Sequence, residues 1–178
     1  MKKCDYNMQK KWIVDEERIH RTSRSLNSPS KGWYLPHHPV FITNKSDKTR
    51  VVADCTASFK GVSLNSQVMQ GLDMMKDLPG IVIRLREGKV AIAADIEAMY
   101  HQVFVNPTGR DVFQFLWWPQ GGLDKNPKHY CMTVHIFGDV WSPACTIFEL
   151  KGTLHRNCND AAKEAVSNFY IDDLLHSS

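Results

Sequence analysis

The chain has 178 residues, a length that can form one compact domain with a sizeable buried core. Apolar residues make up 43% and charged residues 23% of the sequence, which excludes wholesale disorder. The formal net charge of +3 permits a nucleic-acid partner, but so small an excess of positive charge does not select one.

The sequence gives no support for membrane insertion, secretion or disulfide bonding. No apolar run approaches the roughly 18–20 residues of a membrane span, and the polar, Lys-rich N-terminus lacks the apolar core of a signal peptide. The five cysteines, at positions 4, 55, 131, 145 and 158, include no C-x-x-C pair. These features predict a reducing, intracellular compartment and no membrane partner.

The first part of the chain predicts an extension followed by a β-hairpin. Residues 1–31 are polar and poorly periodic, with one possible short helix around Gln9–Arg18. Two β-favouring runs follow, Pro39–Thr43 and Arg50–Asp54, on either side of the polar segment Asn44–Thr49. This pattern predicts a hairpin with lysines near its tip.

The next segment predicts a helix and a buried strand. Apolar residues recur at helical spacing at Val68, Met69, Leu72 and Met75. Pro79-Gly80 should stop or kink that helix, and Ile81–Arg86 fits either a second helix or a strand. The apolar run Val90–Ala94 is typical of a strand buried on both faces, and it ends at Asp95.

A second pair of strands is predicted in the middle of the chain. Asn106–Gly109 has turn chemistry, and Val112–Trp118 alternates as a strand. Its expected partner is Tyr130–Val134, across a long polar loop at Pro119–His129.

The C-terminal part predicts two helices and a last strand. Pro143 suits the first turn of a helix that runs to about Leu154, and Ala161–Val166 favours a shorter one. Phe169–Ile171 predicts a strand that leads into Asp172-Asp173. Strands interleaved irregularly with helices indicate an α+β fold rather than a regular βαβ series.

Three carboxylates stand out from this pattern. Asp95 ends an apolar strand, and the pair Asp172-Asp173 lies at an expected hairpin turn. Adjacent carboxylates repel each other, and a divalent cation removes that repulsion. Magnesium prefers carboxylate oxygens, and two ions about 4 Å apart can catalyse an in-line displacement. Aspartates are also common in turns and at helix N-caps, so both interpretations stay open at this point.

The sequence around these acids resembles the motifs of reverse transcriptases. Tyr170-Ile171-Asp172-Asp173 matches the Tyr-x-Asp-Asp signature, and Ala94–Val103 matches the motif that carries the first catalytic aspartate. Phe137-Gly138 with Ser142-Pro143-Ala144 and Phe148 resembles the segment that contacts template and primer.

A narrower resemblance covers roughly residues 32–175. The fingers strand and the loop after it are matched by Arg50–Asp54 and Ser63–Asn65. The blocks that look like the polymerase of BEL/Pao-type LTR retrotransposons are Trp33–Val40, Lys60–Asn65, Phe115–Trp118 and Asn168–Leu175. The order of the blocks along the chain strengthens the resemblance.

The resemblance implies the fingers and a partial palm of a polymerase, with an antiparallel palm sheet packed on helices and the thumb absent. Residues 1–31 would be a partly ordered N-terminal extension, 32–89 the fingers-like part and 90–178 the partial palm. The rest of the palm, the thumb, the connection and the RNase H domain would belong to a longer Pol polyprotein. The expected location is the cytoplasm or a transposon-derived particle.

By the same resemblance, the three aspartates would be the catalytic and metal-binding residues. Asp95 and Asp172 would bridge two Mg²⁺ ions, for which Mn²⁺ could substitute, and Asp173 would help hold the ion at the primer 3′-hydroxyl. That hydroxyl would attack the α-phosphate of a deoxynucleoside triphosphate on an RNA or DNA template.

The resemblance also assigns nucleotide-binding residues. Arg50 would grip the triphosphate, with Lys48 and Lys45 as weaker candidates for which a solvated turn is the alternative. Tyr100 would be the steric gate against a ribose 2′-hydroxyl, or an aromatic ring that packs on the strand beneath. Phe137 would also contact the nucleotide.

Template and primer contacts are assigned to Gly138, Tyr170 and Ile171, with glycine allowing close approach of the backbone to nucleic acid. Gln102 and Asn65 are expected to be structural hydrogen-bonding residues near the site.

Three departures from the family pattern qualify these roles. Pro79-Gly80 interrupts what the family pattern expects to be a fairly continuous helix. Asp139-Val140-Trp141 is bulkier and more acidic than expected, and an acid near template phosphates would oppose binding unless it points away. The sequence ends five residues after Asp173, so only Leu174–Ser178 could form the return strand of the hairpin. We therefore expect an unpaired sheet edge, poor substrate binding and little or no polymerisation by the isolated chain.

Three alternatives remain open. The chain could be an inert, transposon-derived module that binds nucleic acid or another partner. A two-metal nuclease or phosphohydrolase would want more acids or a histidine in the cluster, and only Glu97 lies beside Asp95 in the sequence. A zinc module would need unusually spaced ligands, namely Cys131, His135, His155 and Cys158.

Overall fold

The computed structural model describes residues 23–26, 32–41, 49–75, 77–118, 126–157 and 159–178. The chain divides into two compact units. Unit 1 comprises Met1–Val68 and Phe104–Asp139, and unit 2 comprises Met69–Val103 and Val140–Ser178. The helix predicted around Gln9–Arg18 lies outside the described residues.

Short strands and helices make up the described chain. The strands are β1 (Ser23–Leu26), β2 (His37–Phe41), β3 (Thr49–Ala53), β4 (Ala91–Asp95), β5 (Gln114–Trp117), β6 (Lys128–Met132), β7 (Phe169–Tyr170) and β8 (Asp173–Ser177). The α-helices are α1 (Leu64–Gln67), α2 (Leu78–Leu85), α3 (Ser142–Arg156) and α4 (Asp160–Val166). Met99–Gln102 and Pro107–Val112 form 3-10 helices.

Unit 1 contains both hairpins predicted in the first two thirds of the chain. β2 and β3 pair antiparallel, with Val40 opposite Arg50. A three-stranded sheet has the order β1-β6-β5, and its β5–β6 pairing confirms the predicted partners. The buried rings of Phe115, Trp117 and Tyr130 form the core on this sheet. Stacked and edge-on aromatic contacts of this kind add to the burial of apolar area.

Unit 2 contains the sheet with the order β4-β8-β7, together with α2, α3 and α4. β7 and β8 form a hairpin with the loop Ile171-Asp172, since Tyr170 pairs with Asp173. The return strand predicted from the last residues of the sequence is therefore confirmed. Ile81 from α2 and Ile147 from α3 are buried in this unit.

The predicted helix through residues 68–75 is wrong. Only α1 is helical here, and Met69 and Leu72 are 88% and 80% exposed. Gly71 has a φ of +82°, a left-handed conformation that interrupts a right-handed helix. Apolar spacing alone did not specify a helix, and the side chains of Met69 and Leu72 lie in solvent instead of on a buried helix face.

The prediction that Pro79-Gly80 would stop or kink a helix is also wrong, because both residues lie in the first turn of α2. Proline lacks only an N–H that has no partner within the helix at this position. The Asp77 carboxylate caps the helix by accepting a hydrogen bond from Gly80 N at 3.1 Å. The ambiguous segment Ile81–Arg86 is thus helical through Leu85.

The strand expected at Val90–Ala94 exists as β4, but its predicted burial is wrong. All five of its residues are exposed, and Ile92 is 48% exposed. β4 lies at the edge of its sheet with β8 as its only neighbour among the described strands. An apolar run predicts a strand, but it does not determine whether another element covers that strand.

The helices predicted near the C-terminus are confirmed as α3 and α4. Pro143 lies in the first turn of α3, as its missing N–H favours. Asn159 caps α4 by accepting a hydrogen bond from Ala162 N at 2.6 Å. Among the described residues, no helix has both the length and the apolar character that a bilayer span requires.

Candidate metal centre

The three predicted catalytic aspartates come together in unit 2. Asp95 is the last residue of β4, Asp172 lies in the loop of the β7–β8 hairpin, and Asp173 begins β8. One carboxylate oxygen of each lies within 4.8 Å of those of the other two. Asp95 and Asp173 are directly opposite each other in the β4–β8 ladder, which places their side chains on one face.

The backbone of the hairpin loop is fixed in an uncommon conformation. Ile171 has a φ of 57°, which a β-branched residue rarely adopts and which costs roughly 1–3 kcal/mol. The carbonyl oxygen of Asp172 accepts a hydrogen bond from Ile96 N at 2.9 Å. This bond ties the loop to the chain immediately after Asp95. The segment that carries Asp95 and the loop that carries Asp172 are therefore joined by a backbone hydrogen bond as well as by the β4–β8 ladder.

The donor set fits a divalent cation. Carboxylate oxygens are the ligands that Mg²⁺ and Mn²⁺ prefer, and Asp95 and Asp173 are exposed enough for water to complete a coordination shell. Among the described residues, no lysine or arginine forms an ion pair with any of the three aspartates. The negative charge of the cluster is therefore left for a cation from solution.

Tyr100 and Tyr170 also belong to unit 2. Tyr100 lies in the 3-10 helix after β4 and is 7% exposed, as the packing alternative expects. Its steric-gate role stays a prediction. Tyr170 is half-buried and pairs with Asp173, and Ile171 is half-buried in the hairpin loop.

The remaining predicted site residues belong to unit 1 or lie outside the described residues. Arg50 is in β3, and Phe137, which is 45% exposed, precedes Gly138. Lys48 and Lys45, which the sequence predicts near the tip of the hairpin, lie outside the described residues.

The packing of the protein itself explains why position 138 is a glycine. Its φ is +106°, and a Cβ atom built there would lie 2.7 Å from the carbonyl oxygen of Ala53. Its own carbonyl accepts a hydrogen bond from Asn65 Nδ2 at 2.9 Å. The backbone that approaches Gly138 in this structure is therefore the end of β3, and contact with nucleic acid stays a prediction.

The unexpected acid Asp139 is buried, with 6% of its surface exposed. Burial, together with the negative charges of Asp139 and Asp54, raises the pKa of the Cys55 thiol to about 12. Asp139 is therefore a buried acid whose charge acts on Cys55 within unit 1, and its effect on a template stays a prediction.

The two residues expected to make structural hydrogen bonds do so. Asn65 Nδ2 donates to Gly138 O, and Gln102 Nε2 donates to Glu97 O at 3.1 Å. The predicted zinc ligands divide between the units, with Cys131 in unit 1 and His155 in unit 2. Cys131 Sγ donates to the carbonyl of Arg110 at 3.0 Å, as a buried structural cysteine does.

The sequence alone gave no role to the residues at the other end of the acidic hairpin. Asn168 and His176 lie eight residues apart and become neighbours only when the hairpin forms, with Asn168 Nδ2 and His176 Nδ1 at 3.1 Å. Arg84, distant in sequence, also contacts Asn168. The signal for Asn168 in the sequence was its position as a polar residue just before an apolar strand.

The fold is shared with polymerases of known structure. A foamy viral protease-reverse transcriptase in complex with double-stranded DNA matches with a TM-score of 0.70 and 17% identity, over 98% of this chain and 26% of that one. The same kind of protein in complex with an RNA/DNA hybrid matches with a TM-score of 0.64 and 17% identity, over 93% and 19%. This is a reverse transcriptase-like fold.

A native prototype foamy virus protease-reverse transcriptase also matches, with a TM-score of 0.64 and 19% identity. This chain spans about a quarter or less of each of the three. No protein-family model and no curated protein matches the sequence.

Proposed function

We propose that this chain is the fingers and first part of the palm of an RNA-directed DNA polymerase of the BEL/Pao retrotransposon type. The observation that carries the proposal is the cluster of Asp95, Asp172 and Asp173, which two distant parts of the chain bring within 4.8 Å. The reverse transcriptase-like fold and the Tyr-x-Asp-Asp sequence of the hairpin support it.

In this proposal the three aspartates hold two Mg²⁺ ions, with Mn²⁺ as a substitute. When bound, such ions supply a lowered pKa for an attacking hydroxyl and neutralise charge on a transferring phosphoryl group. The carboxylates are on an antiparallel ladder and a short loop, so the backbone that carries them is held by strand pairing before any ion binds.

The partners follow from the same proposal. A primer on an RNA or DNA template would lie against Tyr170, Ile171 and Gly138, and a deoxynucleoside triphosphate would contact Arg50, Lys48, Tyr100 and Phe137. Of the two neighbours solved with nucleic acid, one holds double-stranded DNA and the other an RNA/DNA hybrid. The activity of those much longer enzymes is carried to this chain only as a proposal.

Mn²⁺ binding measured by electron paramagnetic resonance tests the metal centre. We expect the wild-type chain to bind Mn²⁺, Mg²⁺ to compete for the site, and Asp95→Asn or Asp172→Asn to weaken binding by about tenfold or more, because each removes a charged ligand. Asp111→Asn, an exposed aspartate in unit 1, is the matched control and should bind as wild type does.

Equal Mn²⁺ binding by wild type and Asp95→Asn would contradict the proposal. Primer–template binding that is independent of added metal and unchanged in Asp172→Asn would instead favour the inert interaction module. Primer extension by the same samples then measures how much of the polymerase activity this chain supports by itself.

A further inference from the structure

The acidic cluster depends on the register between β4 and β8. In the observed ladder Asp95 is opposite Asp173 and Ile92 is opposite His176. A slip of one residue would place Leu174 opposite Asp95 and turn every side chain of β8 to the opposite face relative to β4. The three carboxylates would then no longer converge.

Apolar packing specifies this register only weakly. All five residues of β4 are exposed, so no buried face selects one alignment over another. Three of them are alanines of identical size, Ala91, Ala93 and Ala94. The specification must therefore come from contacts that β8 makes elsewhere.

Those contacts lie at the base of the hairpin, around Asn168. Asn168 is buried, with 7% of its surface exposed. Its Oδ1 accepts a hydrogen bond from Arg84 Nε at 3.1 Å. Since Arg84 can only donate, this bond orients the amide and directs Nδ2 to His176 Nδ1, at 3.1 Å. The backbone oxygen of Asn168 accepts from Leu175 N at 3.0 Å.

A second set of bonds joins α2 to the end of β8. Ser177 Oγ donates to the carbonyl of Arg84 at 2.9 Å and accepts from Gly88 N at 3.2 Å. Arg84 Nη2 donates to Ser167 O at 2.6 Å, next to Asn168. Asn168 and His176 both belong to the β7–β8 hairpin, whereas Arg84 and Gly88 lie on the segment that leads into β4. A one-residue slip of the hairpin along β4 therefore keeps the bond between Asn168 and His176 but breaks the bonds that Asn168, Ser167 and Ser177 make to Arg84 and Gly88.

We infer that Asn168 is a positioning residue for the metal centre: its bond to His176 aligns it with β8, and its bond to Arg84 sets the register that opposes Asp173 to Asp95. The metal-binding part of this inference rests on the proposed function, whereas the register part concerns the chain alone. Asn168 contacts none of the three carboxylates in the structure and acts through the hairpin that carries two of them.

Hydrogen exchange of the Ile96 amide reports the register without any metal, because that amide bonds to Asp172 O at the far end of the hairpin. In the full 178-residue chain, we expect Asn168→Ala to raise the exchange rate of Ile96 by about tenfold or more, through local opening of the hairpin. The Mn²⁺ dissociation constant should rise by about tenfold as well.

Arg84→Gln, at an exposed helix position, provides a second variant that should keep the fold and show a smaller effect in the same direction. Asn168→Asp retains an oxygen for Arg84 and offers a second to His176, so it should restore slow exchange. Asn157→Ala removes a side-chain bond at the exposed end of α3 and is the matched control.

Unchanged Ile96 exchange in both Asn168→Ala and Arg84→Gln overturns the inference. So does an equal rise in exchange at Cys145 within α3, since that would mean a general loss of stability in unit 2. A wild-type chain that binds no Mn²⁺ would contradict the proposed function, while the exchange rates would still decide the role of Asn168.

Discussion

At the scale of single residues, two of the described positions with positive φ bear on the hairpins of the fold. Ile171, with a φ of 57°, turns the chain between the two strands of the acidic hairpin. Gly138, with a φ of +106°, brings the chain within close reach of the end of β3. Strained positions persist only where their surroundings over-determine them, as strand pairing does for Ile171.

Gly138→Ala should destabilise unit 1 more than the same change at Gly61. Both glycines have positive φ, but a Cβ at Gly138 would meet Ala53 O at 2.7 Å, whereas nothing lies within 4 Å of one at Gly61. We expect Gly61→Ala to cost about 1 kcal/mol, from backbone strain alone, and Gly138→Ala to cost roughly 2–4 kcal/mol. Urea denaturation of both variants measures the difference, and equal costs would show that the close approach to Ala53 is not rigid.

At the scale of elements, the C-terminal helices and hairpins could be predicted from the sequence because their signals are local. Pro143 marks the start of α3 by its own backbone chemistry, and the polar turn between β2 and β3 marks a hairpin. The apolar residues of segment 68–75 and of β4 carry no such local signal. Whether they are covered depends on the rest of the fold, and Met69 and Ile92 are exposed.

The candidate site also has a part that the sequence predicts and a part that it does not. The three aspartates were predictable because each lies at a strand end or in a turn within a recognisable motif, and the structure brings them together. The bonds of Asn168 to Arg84 and His176 were not predictable, because they join residues from α2 and from two strands of a hairpin. Side-chain contacts between distant segments leave no periodic pattern in the sequence.

Asp77→Ala should destabilise α2, the helix that carries Arg84. The carboxylate of Asp77 accepts the hydrogen bond of Gly80 N, and losing an N-cap of this kind costs about 0.5–2 kcal/mol. Asp73→Ala is the control, since Asp73 accepts a similar bond from Met75 N in a stretch that is not helical. Thermal unfolding followed by circular dichroism should show the larger decrease in Tm for Asp77→Ala; equal decreases would contradict a capping role.

At the scale of the whole molecule, unit 1 should lose stability as the pH falls below about 6.5. Burial lowers the pKa of both His37 and His135 in the folded state. The unfolded chain therefore takes up protons first, so the free energy of unfolding decreases from the unfolded pKa downward until the folded pKa values are passed. At still lower pH, below the usual range of an aspartate, the lowered pKa of Asp54, caused by hydrogen bonds from Thr56, adds a further loss.

Chemical denaturation at pH 7.5 and 5.5 measures this dependence. His37→Gln should reduce the difference in unfolding free energy between the two pH values, because it removes one of the two imidazoles whose pKa is lowered in the folded state. His38→Gln, at the exposed neighbouring position, should retain most of it. A difference that is the same in His37→Gln as in the wild-type chain would show that His37 is not the titrating group.

The pairing of β4 with β8 has a consequence for synthesis in the cell. Asp95 leaves the ribosome long before its partner Asp173, and at about 5–20 residues per second the wait is roughly 4–15 s. During that interval the backbone N–H and C=O groups of β4 lack the strand with which they pair in the folded chain, and unpaired strand edges are prone to aggregate. Slower translation between these two segments should therefore lower the soluble yield, which makes codon choice over residues 96–172 a determinant of expression.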